Sequence, residues 1–364
     1  MSKRATTVVI AAGGTAGHVV PALAVAQALR AEGARVEFIG AARAEAQLVP
    51  GAGFTLHAIS VEGLSRTNPL RALAALARAA LATLRARRVL RALAPDAVMG
   101  AGGYVAGPVV LAALSRRTPV LLTEADSRLG LTNRLLAPFA RRVCLSFPPR
   151  GRLARAVERR RAGKYLVTGR PVPFPPQERA GARARFGLGA EEQFVLVFGG
   201  SLGARSINEA AVEAFAEGTM RVLHVCGRRD FERLSRRSPR PGYELVEYLD
   251  VEDFARALAA ADLVVARAGG SVFEIAAYGV PAVLVPYPHA AGDHQSENAR
   301  WMSDAGAAAV LADGELSAAR LATEVRELLG DRERLAQMAR ASRALARPRA
   351  AFDVAHELLE IARQ

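Results

Sequence analysis

A chain of 364 residues with 51% apolar and 23% charged residues is long enough for two domains and too apolar to be disordered. Its formal charge of +14 admits a nucleotide, a nucleic acid or an anionic membrane surface as partner, yet lysine occurs only at Lys3 and Lys164, so an arginine- and alanine-rich composition explains the charge equally well. Nucleic acid is disfavoured, because only 5% of residues are aromatic and none interleave with basic clusters.

Taken in chain order, Thr6 to Arg30 reads as a strand (Val8, Val9, Ile10), a glycine turn (Gly13 to His18) and a helix around Leu23 to Leu29. The apolar run Val8 to Ala12 is too short for the core of a signal peptide, and no stretch nears the ~20 apolar residues that span a bilayer. These two features predict a cytoplasmic protein. A strand follows at Val36 to Gly40. Between Leu70 and Leu84 a helical wheel gathers Leu70, Leu73, Leu81 and Leu84 on one face, beside Arg71, Arg78 and Arg85. That is the pattern of a basic amphipathic helix at a bilayer interface, or of a surface helix packed on a sheet.

Ala97 to Gly100 is the next strand and ends in Gly102-Gly103-Tyr104; Val120 to Glu124 and Val143 to Phe147 follow. The proline-rich run from Lys164 to Pro176 predicts a linker. The strand-loop-helix order then returns, with Phe194 to Phe198, Gly199-Gly200-Ser201-Leu202-Gly203, and Ile207 to Phe215. Strands at Arg221 to Cys226, Leu263 to Ala266 (ending in Gly269-Gly270-Ser271) and Ala282 to Pro286 complete the second half. Cys144 and Cys226 lie in strand-like contexts without metal-ligand spacing and read as buried thiols.

Strands alternating with helices, twice over, predict an α/β fold of two Rossmann-like doubly wound domains facing across a cleft. The expected divisions are residues 1–163, residues 164–340, and a C-terminal helix in 341–364 that packs back on the first domain. A glycine turn that opens a helix aims backbone N–H groups at an anion, and four such turns point to a diphosphate. None matches the dinucleotide fingerprint or the Walker loop, so NAD and ATP are disfavoured. There is no Asp-x-Asp motif and no zinc-type histidine spacing; neither a metal nor another cofactor is expected.

The chain resembles the MurG-type glycosyltransferases of the GT-B class. The resemblance rests on Gly13-Gly14-Thr15-Ala16-Gly17-His18 with Pro21-Ala22, on Gly102 to Pro108, and on Gly130-Leu131-Thr132-Asn133. In the second half it rests on Gly199 to Asn208, on Ser271-Val272-Phe273-Glu274-Ile275, and on Asp293-His294-Gln295. It implies an inverting enzyme that moves GlcNAc from UDP-GlcNAc to lipid I, giving lipid II for peptidoglycan, cell shape and division. It also implies peripheral attachment to the anionic cytoplasmic face of the membrane, beside other cell-wall synthesis proteins.

For the donor, the resemblance implies a cradle of Gly269, Gly270, Ser271, Val272, Phe273 and Glu274, with Glu274 on the ribose and Ser201 on the diphosphate. Leu249 would contact the uracil, Asp293 and Gln295 the sugar, and Thr15, Ala16, Gly17, Asp126, Arg170 and Arg205 complete the set. The acceptor diphosphate falls to Gly14, His18, Gly102, Gly103 and Tyr104. His18 is the candidate base, because a neutral imidazole can accept a hydroxyl proton near pH 7; Glu124 is a second candidate. Three places depart from the family pattern. Glu124-Ala125-Asp126 stands for Glu-Gln-Asn, Thr168-Gly169-Arg170-Pro171-Val172-Pro173 for Thr-Gly-Asn-Pro-Val-Arg, and Ala16 for a glycine. A UDP-GlcNAc 2-epimerase, a GT-B enzyme with another acceptor, and a non-enzymatic nucleotide or nucleic-acid binder stay open as alternatives.

Overall fold

The computed structural model describes residues 4–61, 69–158, 163–172, 178–200, 203–218, 220–237 and 240–364. The chain divides into two compact units, Met1–Pro173 with Arg347–Gln364, and Phe174–Ala346.

The first unit holds seven parallel strands: β1 (Thr7–Ala11), β2 (Arg35–Gly40), β3 (Thr55–Ala58), β4 (Ala97–Gly100), β5 (Val120–Glu124), β6 (Arg142–Leu145) and β7 (Tyr165–Val167). They lie in the order β3-β2-β1-β4-β5-β6-β7. Helices α1 (Ala16–Ala31), α2 (Ala44–Gly51), α3 (Pro69–Leu93), α4 (Gly103–Leu114), α5 (Leu131–Leu136) and α6 (Gly151–Glu158) connect them. Both faces of the sheet are covered, which is why β1 is buried at every position and apolar from Val8 to Ala11.

The second unit begins with α7 (Arg179–Arg185) and carries six parallel strands: β8 (Phe194–Phe198), β9 (Arg221–Val225), β10 (Tyr243–Val246), β11 (Leu263–Ala266), β12 (Ala282–Leu284) and β13 (Ala308–Val310). Their order is β10-β9-β8-β11-β12-β13. Its further helices are α8 (Arg205–Ala214), α9 (Arg228–Ser235), α10 (Val251–Ala260), α11 (Val272–Tyr278), α12 (His294–Asp304), α13 (Ala318–Gly330) and α14 (Arg332–Ala344). The last helix, α15 (Ala350–Ala362), belongs to the first unit. Its Val354, Leu358 and Ile361 enter the core that Val25 and Leu29 of α1 build.

The first unit ends at Pro173, inside the run from Lys164 to Pro176 expected to hold the boundary, though later than the division after residue 163. Tyr165 pairs in register with Val143, so β7 completes the first sheet and the segment read as a linker is partly strand. Both cysteines are buried and free, and burial pushes the Cys144 thiol up to about 12.

In each sheet the strand order reverses at one point, between β1 and β4 and between β8 and β11. Chains leaving two neighbouring strands there diverge to opposite faces and leave a crevice at their carboxyl ends. All four glycine loops follow those four strands. Topology alone therefore brings the loops together in pairs, Gly13-Gly14 with Gly102-Gly103, and Gly199 to Gly203 with Gly269-Gly270.

Candidate active site

In the first unit the two loops touch backbone to backbone. Gly103 has φ +75°, and a methyl there would lie 2.0 Å from the Gly13 carbonyl oxygen, so only glycine permits the contact. Beneath them lies Glu45, fully buried at the start of α2, whose carboxylate accepts N–H bonds from Gly14 (3.0 Å) and Ala41 (2.7 Å). Glu45 thus fixes the backbone of Gly14, a residue expected at the acceptor diphosphate. Thr15 and Gly17 are exposed on the rim, as is Tyr104 at the start of α4.

His18 sits in the first turn of α1. Its Nδ1 is buried against Gly102, where a methyl would come within 2.8 Å, and it has no hydrogen-bond partner among the described residues. Burial, then the charge of Arg170, hold the imidazole below its ordinary value, while Asp126 acts in the opposite sense. His18 and Arg170 share the wall of one small pocket with Pro21, Thr123 and Glu124.

Glu124, at the end of β5, is a brace. Its Oε2 accepts from Gly130 N (2.8 Å) and Asn133 Nδ2 (2.9 Å), and its Oε1 from Asp126 N (3.2 Å). Burial pushes its carboxyl up, although these donors oppose the shift. With its oxygens occupied in ordering the 125–130 loop, it is the weaker of the two base candidates.

In the second unit, a methyl on Gly203 (φ +77°) would lie 2.0 Å from the Cys226 carbonyl oxygen, which seats the third loop on the end of β9. Ser201 lies outside the described residues. Asn208 of α8 donates to the Cys226 carbonyl (2.8 Å) and to Asp230 (2.9 Å), and its oxygen meets His224 (3.0 Å), which also contacts the Tyr243 hydroxyl (2.7 Å). Burial drives His224 down to about 4, so it is neutral in this network. Burial pushes the Asp230 carboxyl up, but hydrogen bonds from Arg233 and Asn208 and the charges of Arg233 and Arg205 outweigh it and hold it low. Arg205 itself is mostly exposed and pairs with Asp230 at 3.5 Å.

The fourth loop is organised by Arg267, which is 9% exposed at the end of β11. Its guanidinium donates to the carbonyls of Val285 (3.1 Å) and Pro286 (3.2 Å), to Asp313 (2.6 Å) and to the Ser206 hydroxyl (2.8 Å). Asn298 donates to the Ala268 carbonyl (3.0 Å). Gln295 approaches Gly269, and its Oε1 accepts from Tyr287 N (3.0 Å). Asp293 adopts a left-handed backbone and accepts from the Ser296 hydroxyl (2.6 Å). Val272 and Phe273 are buried in α11, so only their backbone can meet a ligand; Glu274 and Leu249 are half-buried.

Glu45, Arg267 and the His224-Asp230 network have no place among the site residues expected from sequence. Arg267 left a signal, a charge that closes the apolar run Leu263 to Ala266 just before a glycine pair. Glu45 left almost none. Among the described residues no group of three or more His, Cys, Asp or Glu could hold a metal ion.

Two doubly wound units with paired glycine loops at the carboxyl ends of their strands are the architecture of the GT-B fold class. Residues 8–145 match the glycosyltransferase family 28 N-terminal domain and residues 194–354 the C-terminal domain of that family. The chain belongs to glycosyltransferase family 28 and, within it, to the MurG family. It is 44% identical over 94% of its length to the UDP-N-acetylglucosamine--N-acetylmuramyl-(pentapeptide) pyrophosphoryl-undecaprenol N-acetylglucosamine transferase of Moorella thermoacetica, of which it covers 95%. The enzyme of the same name from Halorhodospira halophila is 44% identical, with 98% of each chain covered. The crystal structure of MurG from Acinetobacter baumannii superposes with a TM-score of 0.76 at 32% identity, over 98% of this chain and 100% of that one. A UDP-GlcNAc 2-epimerase from Neisseria meningitidis shares the fold alone, with a TM-score of 0.70 at 15% identity over 98% of this chain and 100% of that one.

Proposed function

We propose that the protein transfers GlcNAc from UDP-GlcNAc to the C4 hydroxyl of MurNAc in undecaprenyl-pyrophosphoryl-MurNAc-pentapeptide, lipid I, and so makes lipid II. The observation that carries this reading is the 44% identity to the Moorella transferase along nearly the whole chain. The acceptor oxygen attacks the anomeric carbon as its bond to UDP breaks, which inverts configuration. His18 takes the hydroxyl proton through Nε2, since Nδ1 is enclosed against Gly102. Loop N–H groups of the second unit stabilise charge on the leaving diphosphate. The test is transfer of radiolabelled GlcNAc to a short-chain lipid I analogue, with and without EDTA, beside a control lacking acceptor. Labelled lipid, unchanged by EDTA, is expected. Conversion to UDP-ManNAc in the control, with no lipid product, would replace this reading with an epimerase.

The acceptor carries a polyprenyl chain, so the enzyme acts as a peripheral protein at the cytoplasmic face of the membrane. Among the described residues no helix is long and apolar enough to cross a bilayer. The side chains of Leu70, Arg71 and Leu73 lie outside the described residues. Further along α3 it is Ala82, Ala86 and Leu90 that are buried, whereas Leu81 and Leu84 are 49% and 57% exposed beside exposed Arg78 and Arg85. Leucines turned outward among arginines support interfacial binding. Each leucine buried in lipid contributes about 1.5–3 kcal/mol, so Leu84→Glu is expected to weaken binding to anionic vesicles roughly tenfold or more. Cosedimentation that is absent at both low and high salt in the unaltered protein would overturn the membrane reading.

A further inference from the structure

Resting on His18 as the base, we infer that Arg170 is a positioning residue for it, a buried cation tied to the turn that carries the imidazole and set in the wall of the same pocket, where it helps keep the ring neutral and able to accept a proton. The first observation is a backbone one. In α1 the Gly17 carbonyl should accept from residue 21, but Pro21 has no N–H. The orphaned carbonyl is taken instead by the Arg170 guanidinium, delivered from the segment after β7 and only 8% exposed. Arg170 is therefore tied to the residue just before His18, in the wall of the same pocket.

The second observation is the ring itself. Among the described residues His18 Nδ1, enclosed against Gly102, has no hydrogen-bond partner. Its charge balance falls to the charged groups that act on the ring. Those are Arg170, Asp126 on the half-buried loop after β5, and Glu124, whose carboxylate is held by Gly130, Asn133 and Asp126 N–H groups. Arg170 disfavours the imidazolium and Asp126 favours it.

The experiment titrates the full chain labelled with 13C at histidine Cε1, with His18 assigned among the six histidines by its absence in His18→Gln. Arg170→Gln is expected to raise the His18 midpoint and Asp126→Asn to lower it, each by roughly half a unit to one unit, with the double variant near the original. The acid limb of kcat/KM for the acceptor should move with the midpoint, and Arg170→Lys should leave it in place. A His18 midpoint that stays fixed or falls in Arg170→Gln overturns the proposal. So does a loss of activity in Arg170→Gln that is uniform across pH with no change of midpoint, which would make Arg170 a carbonyl brace only. An acid limb that survives His18→Gln would sink the base assignment instead, while the midpoint in Arg170→Gln still judges the role of Arg170.

Discussion

Replacing His18 by glutamine is expected to lower kcat by about 10²–10⁴-fold, the usual worth of a positioned proton acceptor, with little change in KM for UDP-GlcNAc. The ring is packed on Gly102 in the first turn of α1, so glutamine takes up similar space while losing the basic nitrogen. Burial and Arg170 hold the imidazole below its ordinary value, so it is neutral and competent at pH 7. The sign follows: activity should persist below the normal imidazole range and fall only when pH drops through the lowered value. A His18→Gln enzyme within about threefold of the original kcat would hand the role to another group or to water.

Why the sequence revealed some of this and hid the rest has a physical reason. The strands legible in the chain are the inner ones, β1, β2, β4 to β6, β8, β9, β11 and β12, because a strand buried on both faces must be continuously apolar. The four that left no such run, β3, β7, β10 and β13, are the two edges of each sheet. Their residues are mostly half-exposed, so nothing forces an apolar pattern on them. Missing β7 is what placed the domain boundary too early. Glycine loops were legible because glycine is the one residue the close backbone approaches at Gly103 and Gly203 allow. Glu45 beneath them was not, since a lone glutamate in the sequence looks like any surface charge, and Arg267 showed only in its place at the end of an apolar run.

The arginine excess makes the same point. Arg183 donates to the carbonyls of Gly189 and Glu192, both at 2.6 Å, and Arg240 to those of Phe215 and Met220. Part of the +14 charge is thus spent on bracing loops, which composition alone could not separate from binding a polyanion.

Arg267 is the strongest case of such bracing, and Arg267→Ala is expected to destabilise the second unit by about 3–5 kcal/mol, the cost of breaking a buried, hydrogen-bonded ion pair from one side. The substitution strips donors from the Val285 and Pro286 carbonyls and leaves Asp313 with the Ser206 hydroxyl. Those carbonyls begin the loop that carries Tyr287 and Gln295 to Gly269, so affinity for UDP-GlcNAc should fall along with stability. Burial pushes the Asp313 carboxyl up, but Ser206 and Arg267 outweigh it and hold it below the usual range. A depressed carboxyl adds stability above its unfolded value, and that stability is lost as pH falls through the folded one. In Arg267→Ala the folded value rises toward the unfolded one, so this contribution shrinks and its acid-side loss is complete at a higher pH. Urea unfolding from pH 7 down to about pH 3 would show it: a midpoint and pH slope indistinguishable from the original protein would mean that the guanidinium binds ligand without holding the fold. A lowered midpoint with donor affinity intact would mean the reverse, and only the joint loss fits one side chain that builds the loop and supports the unit beneath it.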